Sequence, residues 1–203
     1  MQTAEERRKI KDKMKQTQLD MVHTEGCILL PDRKMMLDRM PKGARVAEIG
    51  VAFGDFSREI LGRCCPSYLY LIDAWLSERY REGLNKIEEE FAEQISSEKI
   101  VIKQGLSTDV LEDLEENSLD WVYIDTNHTY ETTLQELELC HKIIAPDGRI
   151  AGHDFCTGNV INAVPYGVVE AVTEFCKDFK WQFEYLTVES RGHFSFCLRR
   201  LRA

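Results

Sequence analysis

The stretch RVAEIGVAFGDF, residues 45–56, joins a short apolar strand to a glycine-rich turn and then to the start of a helix. Strand and helix patterns alternate along the rest of the chain, which implies right-handed crossovers and a mostly parallel sheet covered by helices. The predicted strands are 45–49, 68–72, 99–103, 119–124, 149–152, 181–188 and 193–199. The predicted helices are 55–63, 78–95, 107–115, 130–144 and 164–177. We therefore predict an α/β fold with a seven-stranded sheet, in which the last two strands form an antiparallel hairpin.

Length and composition exclude several classes of protein. The chain has 203 residues and a formal net charge of −9, so it is large enough for one domain and too acidic for a general nucleic-acid binder. Its apolar runs are far shorter than the roughly 20 residues that span a membrane. The N-terminal residues MQTAEERRKIKDKMKQ lack the apolar core of a signal peptide, and the 7 cysteines include no CxxC pair. We expect a cytoplasmic protein that binds neither nucleic acid nor membrane.

Residues 1–43 are predicted to form a helical cap segment in front of a ligand-binding domain over 44–203. Residues 1–45 hold 11 Lys and Arg against 7 Asp and Glu, although the whole chain is acidic. The first 25 residues have the polar character of a helix that lies in solvent on the domain. The other interpretations are a mobile lid over a pocket and a contact in a homodimer. Arg33 is interpreted as a surface arginine, with an acidic acceptor as its alternative partner.

Ligands of such sheets bind at the carboxyl ends of the strands, where this chain places the turn that begins at Gly50. A dinucleotide-binding GxGxxG pattern starting there would have Ala52 and Asp55 in place of its second and third glycines. Asp55, which is also predicted to cap the helix over 55–63, and Glu48 would both repel a pyrophosphate. The same acids favour a cationic ligand such as S-adenosylmethionine, which disfavours a nicotinamide-dependent oxidoreductase. An ordinary strand–helix turn is the alternative interpretation.

The motifs EIGVAFG, residues 48–54, and LIDAW, residues 71–75, resemble the first two motifs of the class I S-adenosylmethionine-dependent methyltransferases. The resemblance runs from about residue 44 to the C-terminus and implies a Rossmann-like enzyme with S-adenosylmethionine as its cofactor. Asp73 ends the second predicted strand, where it is placed to accept hydrogen bonds from both ribose hydroxyls. The predicted cofactor-binding residues are Glu48, Gly50, Val51, Ala52, Gly54, Ser57, Asp73, Ala74, Trp75, Gly105, Leu106, Ser107 and Asp125.

A second resemblance covers residues 121–155, WVYIDTNHTYETTLQELELCHKIIAPDGRIAGHDF. This stretch is similar to the signature of small O-methyltransferases related to the macrocin and cephalosporin-pathway enzymes. Members of that group bind a divalent cation, usually Mg²⁺, through acids at the ends of strands four and five. The resemblance implies a metal site at Asp125, His153 and Asp154. His153 stands where the sugar-modifying relatives have glutamate, and imidazole suits Mn²⁺, Fe²⁺, Ni²⁺ or Zn²⁺ better than Mg²⁺, so weak Mg²⁺, another metal or no metal are all open.

The residues needed for methyl transfer to a hydroxyl follow from its chemistry. A protonated alcohol is a weak nucleophile, so a cation at Asp125 and Asp154 would lower its pKa and His128 would act as general base. The alternative interpretation of His128 is a loop histidine that caps the helix over 130–144. Three glutamates of that helix, at positions 131, 136 and 138, are interpreted as a solvated face, and His193 as a surface or core residue. The polar loop over 156–167 is expected to border the acceptor.

We therefore predict an S-adenosylmethionine-dependent O-methyltransferase that acts on a hydroxyl of a small molecule, either a sugar or a natural product. The first alternative is a metal-free methyltransferase of a carboxylate or a nitrogen. A carboxylate acceptor is already anionic, so loss of the base His128 would then cost little activity. The second alternative is a protein that binds S-adenosylmethionine without catalysis, which would show no turnover that depends on an acceptor.

Overall fold

A computed structural model describes residues 3–159 and 164–202. The strands are β1 Ile28–Leu30, β2 Arg45–Ile49, β3 Tyr68–Asp73, β4 Ile100–Gln104, β5 Leu119–Ile124, β6 Ile144–Gly152, β7 Gly158–Asn159, β8 Val164–Pro165, β9 Trp181–Thr187 and β10 Phe196–Arg200. The α-helices are α1 Ala4–Lys13, α2 Arg33–Arg39, α3 Asp55–Cys64, α4 Gly83–Glu90, α5 Ala92–Ser96, α6 Ser107–Glu112, α7 Tyr130–Ile143 and α8 Val168–Phe179. Within these ranges no helix has both the length and the apolar character needed to cross a membrane.

The main sheet has a reversal in strand order that positions the site. Its order is β1-β9-β10-β6-β5-β2-β3-β4, so the chain moves outward from β2 through β3 to β4 and then returns to place β5 on the other side of β2. Strands β2 to β6 are parallel neighbours, whereas β10 runs antiparallel to both β6 and β9. Ile49 pairs with Ile124, so the loops after β2 and β5 emerge side by side. A crevice for a ligand is expected at such a switch point.

Strand β5 illustrates how the sheet separates two hydrophobic layers. Alternate residues of a strand point to opposite faces, and Trp121 and Tyr123 accordingly pack in one cluster while Val122 and Ile124 pack in the other. Helices α2, α3 and α4 contribute to the first cluster, and α6, α7 and α8 to the second. All four β5 side chains are buried, because helices cover both faces of the sheet.

The predicted α/β fold and its C-terminal antiparallel pair are confirmed, but the seven-stranded count is wrong. The main sheet has eight strands, and β7 and β8 form a separate antiparallel pair. The additional edge strand β1 spans three residues and pairs in parallel with β9. Such a short run carries too little periodicity to be predicted from sequence. The segment over 1–43, predicted to be a helical cap, therefore also contributes a strand to the sheet.

Several predicted boundaries also differ: the helix predicted over 107–115 ends at Glu112, and the strand predicted over 149–152 already begins at Ile144. The helix predicted over 78–95 is divided into α4 and α5 at Phe91, whose backbone leaves the helical region and whose side chain is buried. The helix predicted from residue 164 begins at Val168, because Val164 and Pro165 pair with β7 instead. Helix α1 ends at Lys13, well short of the predicted first 25 residues. Part of the loop over 156–167, predicted to border the acceptor, lies outside the described residues at 160–163.

Two glycine substitutions test the packing of the helices, and they should change the stability of the protein in opposite directions. A Cβ added to Gly167 would lie 2.4 Å from the Tyr130 backbone nitrogen, whereas one added to Gly62 of α3 would meet nothing within 4 Å. Gly167→Ala should therefore lower stability by about 1–3 kcal/mol through overpacking, which lowers Tm by roughly 2–10 °C. Gly62→Ala should raise stability by about 0.5–1 kcal/mol, because alanine loses less conformational entropy in a helix. Calorimetry measures both, and equal Tm values would contradict the α7–α8 packing described above.

Candidate functional site

A cavity of about 470 Å³ lies at the carboxyl ends of β2, β3 and β5, over the point where the strand order reverses. Nine of the thirteen predicted cofactor-binding residues line it, together with the predicted base His128. These nine are Glu48, Gly50, Val51, Ala52, Asp73, Ala74, Leu106, Ser107 and Asp125. The other four, Gly54, Ser57, Trp75 and Gly105, lie outside its lining and support the loops that form it.

Gly50 lets the turn after β2 lie directly against the end of β5. A Cβ at this position would lie 2.0 Å from the carbonyl oxygen of Asp125, and the backbone has a φ of +88°. The Gly50 amide donates a hydrogen bond to the Ile72 carbonyl at 2.8 Å, which also ties the turn to β3. Only glycine allows both the conformation and the contact. The turn predicted to bind the cofactor and the residues after β5 are thereby brought into one cavity.

Asp73 fastens this turn through its carboxylate. One oxygen accepts hydrogen bonds from the backbone amides of Val51 at 2.8 Å and Ala52 at 2.9 Å, and the other accepts from the amide of Trp75 at 2.8 Å. The Trp75 indole donates to the Ala52 carbonyl at 2.9 Å, so this buried ring connects the two loops. Gly105 adds a third loop, because its amide donates to the Asp73 carbonyl at 3.0 Å. The predicted contact of Asp73 with ribose hydroxyls stays a prediction, and the three amides leave about one of the roughly four lone-pair sites of the carboxylate for it.

Glu48 lies beneath the turn with an environment that the sequence did not predict. It is 2% exposed and accepts a hydrogen bond from the Ser57 hydroxyl. Burial raises the pKa of Glu48 to about 8, which favours the neutral acid at pH 7 rather than the anion expected from the sequence. Gly54, with a φ of +78°, is the N-cap of α3, whereas the side chain of Asp55 is exposed and pairs with Arg58. The predicted capping role of Asp55 is therefore wrong.

Acids and imidazoles from the loops after β5 and β6 meet beside the cavity. His128 Nε2 lies 3.1 Å from Asp154 Oδ2. His153 Nδ1 lies 3.7 Å from Asp125 Oδ2 and 3.5 Å from Asp154 Oδ1. The backbones of His128 and Asp154 both adopt the left-handed conformation, with φ of +62° and +55°, which is uncommon for residues with a side chain and is often held in place at functional sites. All four residues predicted for catalysis and metal binding thus form one cluster.

The two acids of this cluster differ in their electrostatics. Burial raises the pKa of Asp125, although His153, His128 and Arg33 oppose this effect. Burial also disfavours ionised Asp154, but its hydrogen bonds and charge interactions with nearby histidines are stronger in sum and lower its pKa to about 2. Asp154 is therefore an anion at neutral pH, which suits it to hold an imidazole or a cation.

The arrangement also fits a divalent cation. One ligand atom from each of Asp125, His128 and Asp154 lies within 4.8 Å of the other two, and His153 Nδ1 is adjacent to both acids. Carboxylate oxygens with imidazole nitrogens form a donor set used for Mn²⁺, Fe²⁺ and Zn²⁺, and the oxygens alone suit Mg²⁺. The compact group thus joins the two predicted acids with His128, whereas the predicted ligand His153 is placed by its separate distances to each acid; metal binding at these residues stays a prediction.

Arg33 is a site residue that sequence reasoning missed. It was interpreted as a surface arginine, but it lines the cavity, lies 3.7 Å from Asp125 Oδ2 and covers the ring of Phe56 at 4.6 Å. The guanidinium thus places a positive charge beside the acid predicted to hold a metal. No local pattern relates Arg33 to motifs that lie far along the chain, so only the packing of α2 against α3 reveals this role.

Glu136 and His193 were also misassigned. Glu136 of α7 is buried and accepts hydrogen bonds from Ser107 at 2.5 Å and Thr126 at 2.9 Å, two residues that line the cavity. It is not part of a solvated face, and its helical spacing from buried Thr133 and Cys140 was the available signal. His193 was given no partner, but it hydrogen-bonds Asp154.

Glu136 predicts a pH dependence of stability. Burial raises its pKa to about 7, so the folded protein keeps a proton that the unfolded chain releases, and stability falls as pH rises from about 4.5 to about 7. Glu136→Gln, which has no such proton to lose, should lose less unfolding free energy than wild type between about pH 5 and pH 7. Glu131→Gln, exposed on the same helix, should keep the wild-type dependence. Urea unfolding across this range measures the difference, and identical profiles for all three proteins would contradict the assignment.

Comparisons with known proteins agree with this geometry. A family model described as a methyltransferase domain matches residues 47–155, more than half of the chain. A comparison with curated protein sequences gives no significant match. The matched residues extend from β2 to just beyond β6 and include both the glycine turn and the acid–imidazole cluster.

Several solved structures share the fold at low sequence identity. A SAM-dependent methyltransferase from Aquifex aeolicus has a TM-score of 0.60 and 15% identity, over 82% of this chain and 87% of that chain. An O-methyltransferase from Bacillus cereus in complex with SAH has a TM-score of 0.59 and 19% identity, over 82% and 78%. A precorrin-6y C5,15-methyltransferase from Geobacter metallireducens has a TM-score of 0.59 and 13% identity, over 83% and 85%. These likenesses establish the Rossmann-like fold, and the family match shows that the chain belongs to the methyltransferase domain family and is a class I S-adenosylmethionine-dependent methyltransferase.

Proposed function

We propose that this methyltransferase transfers a methyl group to a hydroxyl of a small molecule, a sugar or a natural product, with His128 as general base and a divalent cation at Asp125, His153 and Asp154. It would then belong with the small O-methyltransferases related to the macrocin and cephalosporin-pathway enzymes. The observation that carries the proposal is the pair formed by His128 Nε2 and Asp154 Oδ2 at 3.1 Å, next to Asp125 and at the wall of the cofactor cavity.

The His128–Asp154 pair supports proton abstraction from an alcohol. Asp154 is ionised, so it favours the tautomer in which His128 Nε2 carries the hydrogen and donates it to Oδ2. The Nδ1 lone pair of His128 is then available to accept the acceptor's proton. The carboxylate also stabilises the imidazolium that forms, as in other histidine–aspartate pairs. Asp154 is thus a positioning residue for the base as well as a proposed metal ligand.

The donor set supports a cation next to this base. Asp125, Asp154 and His153 are the residues that would hold it. His153 Nδ1 lies within 4 Å of one carboxylate oxygen of each acid. When bound, a divalent cation would polarise the acceptor oxygen and lower its pKa, which reduces the demand on His128. The loop after β5 carries both Asp125 and His128, so one short segment aligns both groups with the acceptor.

The turn after β2 and the loop after β4, which also line the cavity, are the proposed binding site of S-adenosylmethionine. The amides of Val51 and Ala52 are held by Asp73, and the small side chain of Ala52 leaves the turn accessible. Leu106 and Ser107 line the cavity after β4, where the resemblance places the adenine. The reactive methyl group would then lie between the turn and the base, because Gly50 packs against the backbone of Asp125, three residues before His128 in the same loop.

A metal-free methyltransferase of a carboxylate is the second candidate, and Arg33 is the observation that favours it. The guanidinium lies 3.7 Å from Asp125 Oδ2 and supplies positive charge where the first candidate requires a cation. Arginine also pairs with carboxylates in a bidentate geometry. In this candidate Arg33 orients the acceptor, and the acceptor needs no base because it is already anionic.

Replacement of the proposed base distinguishes these candidates. His128→Asn should lower kcat about 10²–10⁴-fold with a hydroxyl acceptor, since a positioned base typically contributes that much. Its Kd for S-adenosylhomocysteine should stay close to the wild-type value, because the glycine turn is unchanged. His141→Asn, a replacement in a ring packed against Phe179 and away from the cavity lining, is the matched control and should retain kcat. Nearly full activity of His128→Asn would contradict the assignment of His128 as the general base and would favour a carboxylate acceptor.

Metal dependence is tested by thermal shifts with S-adenosylhomocysteine. At about 100 times its Kd the ligand should add about 2.7 kcal/mol of stability, or roughly 5–11 °C in Tm. We expect Mg²⁺ or Mn²⁺ to enlarge this shift relative to EDTA in wild type. Asp125→Asn should lose the difference between the shifts measured with metal and with EDTA, whatever the size of its shift in EDTA. A wild-type shift that is the same with and without metal would contradict the metal-assisted mechanism and favour the candidate based on Arg33.

A further inference from the structure

The carboxylate of Asp154 faces two different groups of side chains. Its Oδ2 atom faces His128 at 3.1 Å, whereas its Oδ1 atom hydrogen-bonds His193 Nδ1. Cys156 joins this second group, with its Sγ atom 3.9 Å from the same His193 nitrogen. Ligand atoms of Asp154, Cys156 and His193 all lie within 4.8 Å of one another. These three residues, here called the Cys156 cluster, have no role in the methyl transfer described above beyond the shared aspartate.

The geometry of the Cys156 cluster does not suit a nucleophilic triad. In a relay the carboxylate holds one imidazole nitrogen and the nucleophile faces the other. Here the thiol and the carboxylate both approach Nδ1 of His193. A single nitrogen with one hydrogen or one lone pair cannot serve as a relay between them. Three different donor atoms that converge on one point are instead what a metal ion requires.

The distances and the donor types fit a particular class of metal. With Zn–S near 2.3 Å and Zn–N near 2.0–2.1 Å, a tetrahedral site has a sulfur–nitrogen separation of roughly 3.6 Å, close to the 3.9 Å between Cys156 and His193. Asp154 Oδ1 and His193 Nδ1 share a hydrogen bond. A metal ion that replaces the shared proton would require these two atoms to move slightly apart. A thiolate and an imidazole select Zn²⁺ or Co²⁺ over Mg²⁺, which prefers oxygen ligands. His153 Nδ1, 3.5 Å from Asp154 Oδ1, is a further donor.

The backbone holds these ligands on two segments that are already joined. Asp154 and Cys156 follow β6, and His193 precedes β10. The amide of Phe155 donates to the carbonyl of Phe194 at 2.9 Å, which fixes the two segments side by side. Asp154 is buried, whereas Cys156 and His193 are half-buried, so an ion can enter from solvent.

We infer that Asp154, Cys156 and His193 form a second binding site, for a soft divalent cation of the Zn²⁺ class, which shares Asp154 with the proposed catalytic cation but takes its other ligands, Cys156 and His193, from outside that group. The ion ties the segment after β6 to the segment before β10. It also fixes the carboxylate that orients His128, since Asp154 belongs to both groups. Asp154 also belongs to the proposed catalytic group, but Cys156 and His193 do not, and metal binding by these ligands requires neither S-adenosylmethionine nor an acceptor.

Co²⁺ binding tests this inference without any measurement of activity. Metal-stripped full-length protein, kept reduced with a phosphine, is titrated with Co²⁺ and followed by absorption in the near ultraviolet, where thiolate-to-cobalt charge transfer appears. We expect a charge-transfer band that saturates at one equivalent and disappears when Zn²⁺, but not Mg²⁺, is added. Asp125→Asn should retain the band, which separates this site from the proposed catalytic cation.

Cysteine variants locate the site. Cys156→Ser should lose the band, and His193→Gln should lose it or require much more Co²⁺ to reach it. Cys65→Ser, a replacement of the exposed cysteine that follows α3, is the matched control and should keep the wild-type titration. Circular dichroism of each variant verifies folding. The inference is overturned if wild type shows no thiolate band, if the band survives in Cys156→Ser, or if Mg²⁺ displaces Co²⁺ as readily as Zn²⁺ does.

Discussion

The contact between Gly50 and the end of β5 is the constraint on which the rest of the site depends. Because a Cβ at position 50 would lie only 2.0 Å from the Asp125 carbonyl oxygen, the turn after β2 and the loop after β5 share one wall of the cavity. The reversal of strand order between β2 and β5 makes this contact possible. As a result the turn held by Asp73 lines the same cavity as His128, the residue proposed as the base.

The buried acids of this site differ in their protonation state. The acids beneath the cofactor cavity are shifted towards the neutral form, with pKa values of about 8 for Glu48 and about 7 for Glu136. Asp154, surrounded by histidines, is shifted in the opposite direction to about 2. Asp154 therefore stays ionised next to the residues proposed to act as a base or to bind a cation. If the cationic cofactor binds over Glu48 as proposed, it would favour the ionised form of this acid, and binding would be accompanied by release of its proton.

The sequence predicted the features that repeat along the chain and missed those that depend on packing between distant segments. Alternating strands and helices, the glycine turn and the acids at strand ends follow from local periodicity and residue type, and the fold and family confirm them. The edge strand over 28–30 is too short to carry a pattern. Arg33 reaches the site only because α2 packs on α3, and Glu136 required attention to which face of α7 is buried. The roles predicted for individual site residues stay predictions.

The central claim is that Asp73 builds the cofactor site by holding the glycine turn. Calorimetric titration of S-adenosylhomocysteine into Asp73→Asn and Asp55→Asn tests it most directly, since both acids line the cavity but only Asp73 bonds the turn. Loss of charged hydrogen bonds worth about 1.5–3 kcal/mol should weaken binding about 10- to 100-fold in Asp73→Asn. Asp55→Asn should bind almost as tightly as wild type. Equal affinities for the two variants, both folded by circular dichroism, would contradict the account.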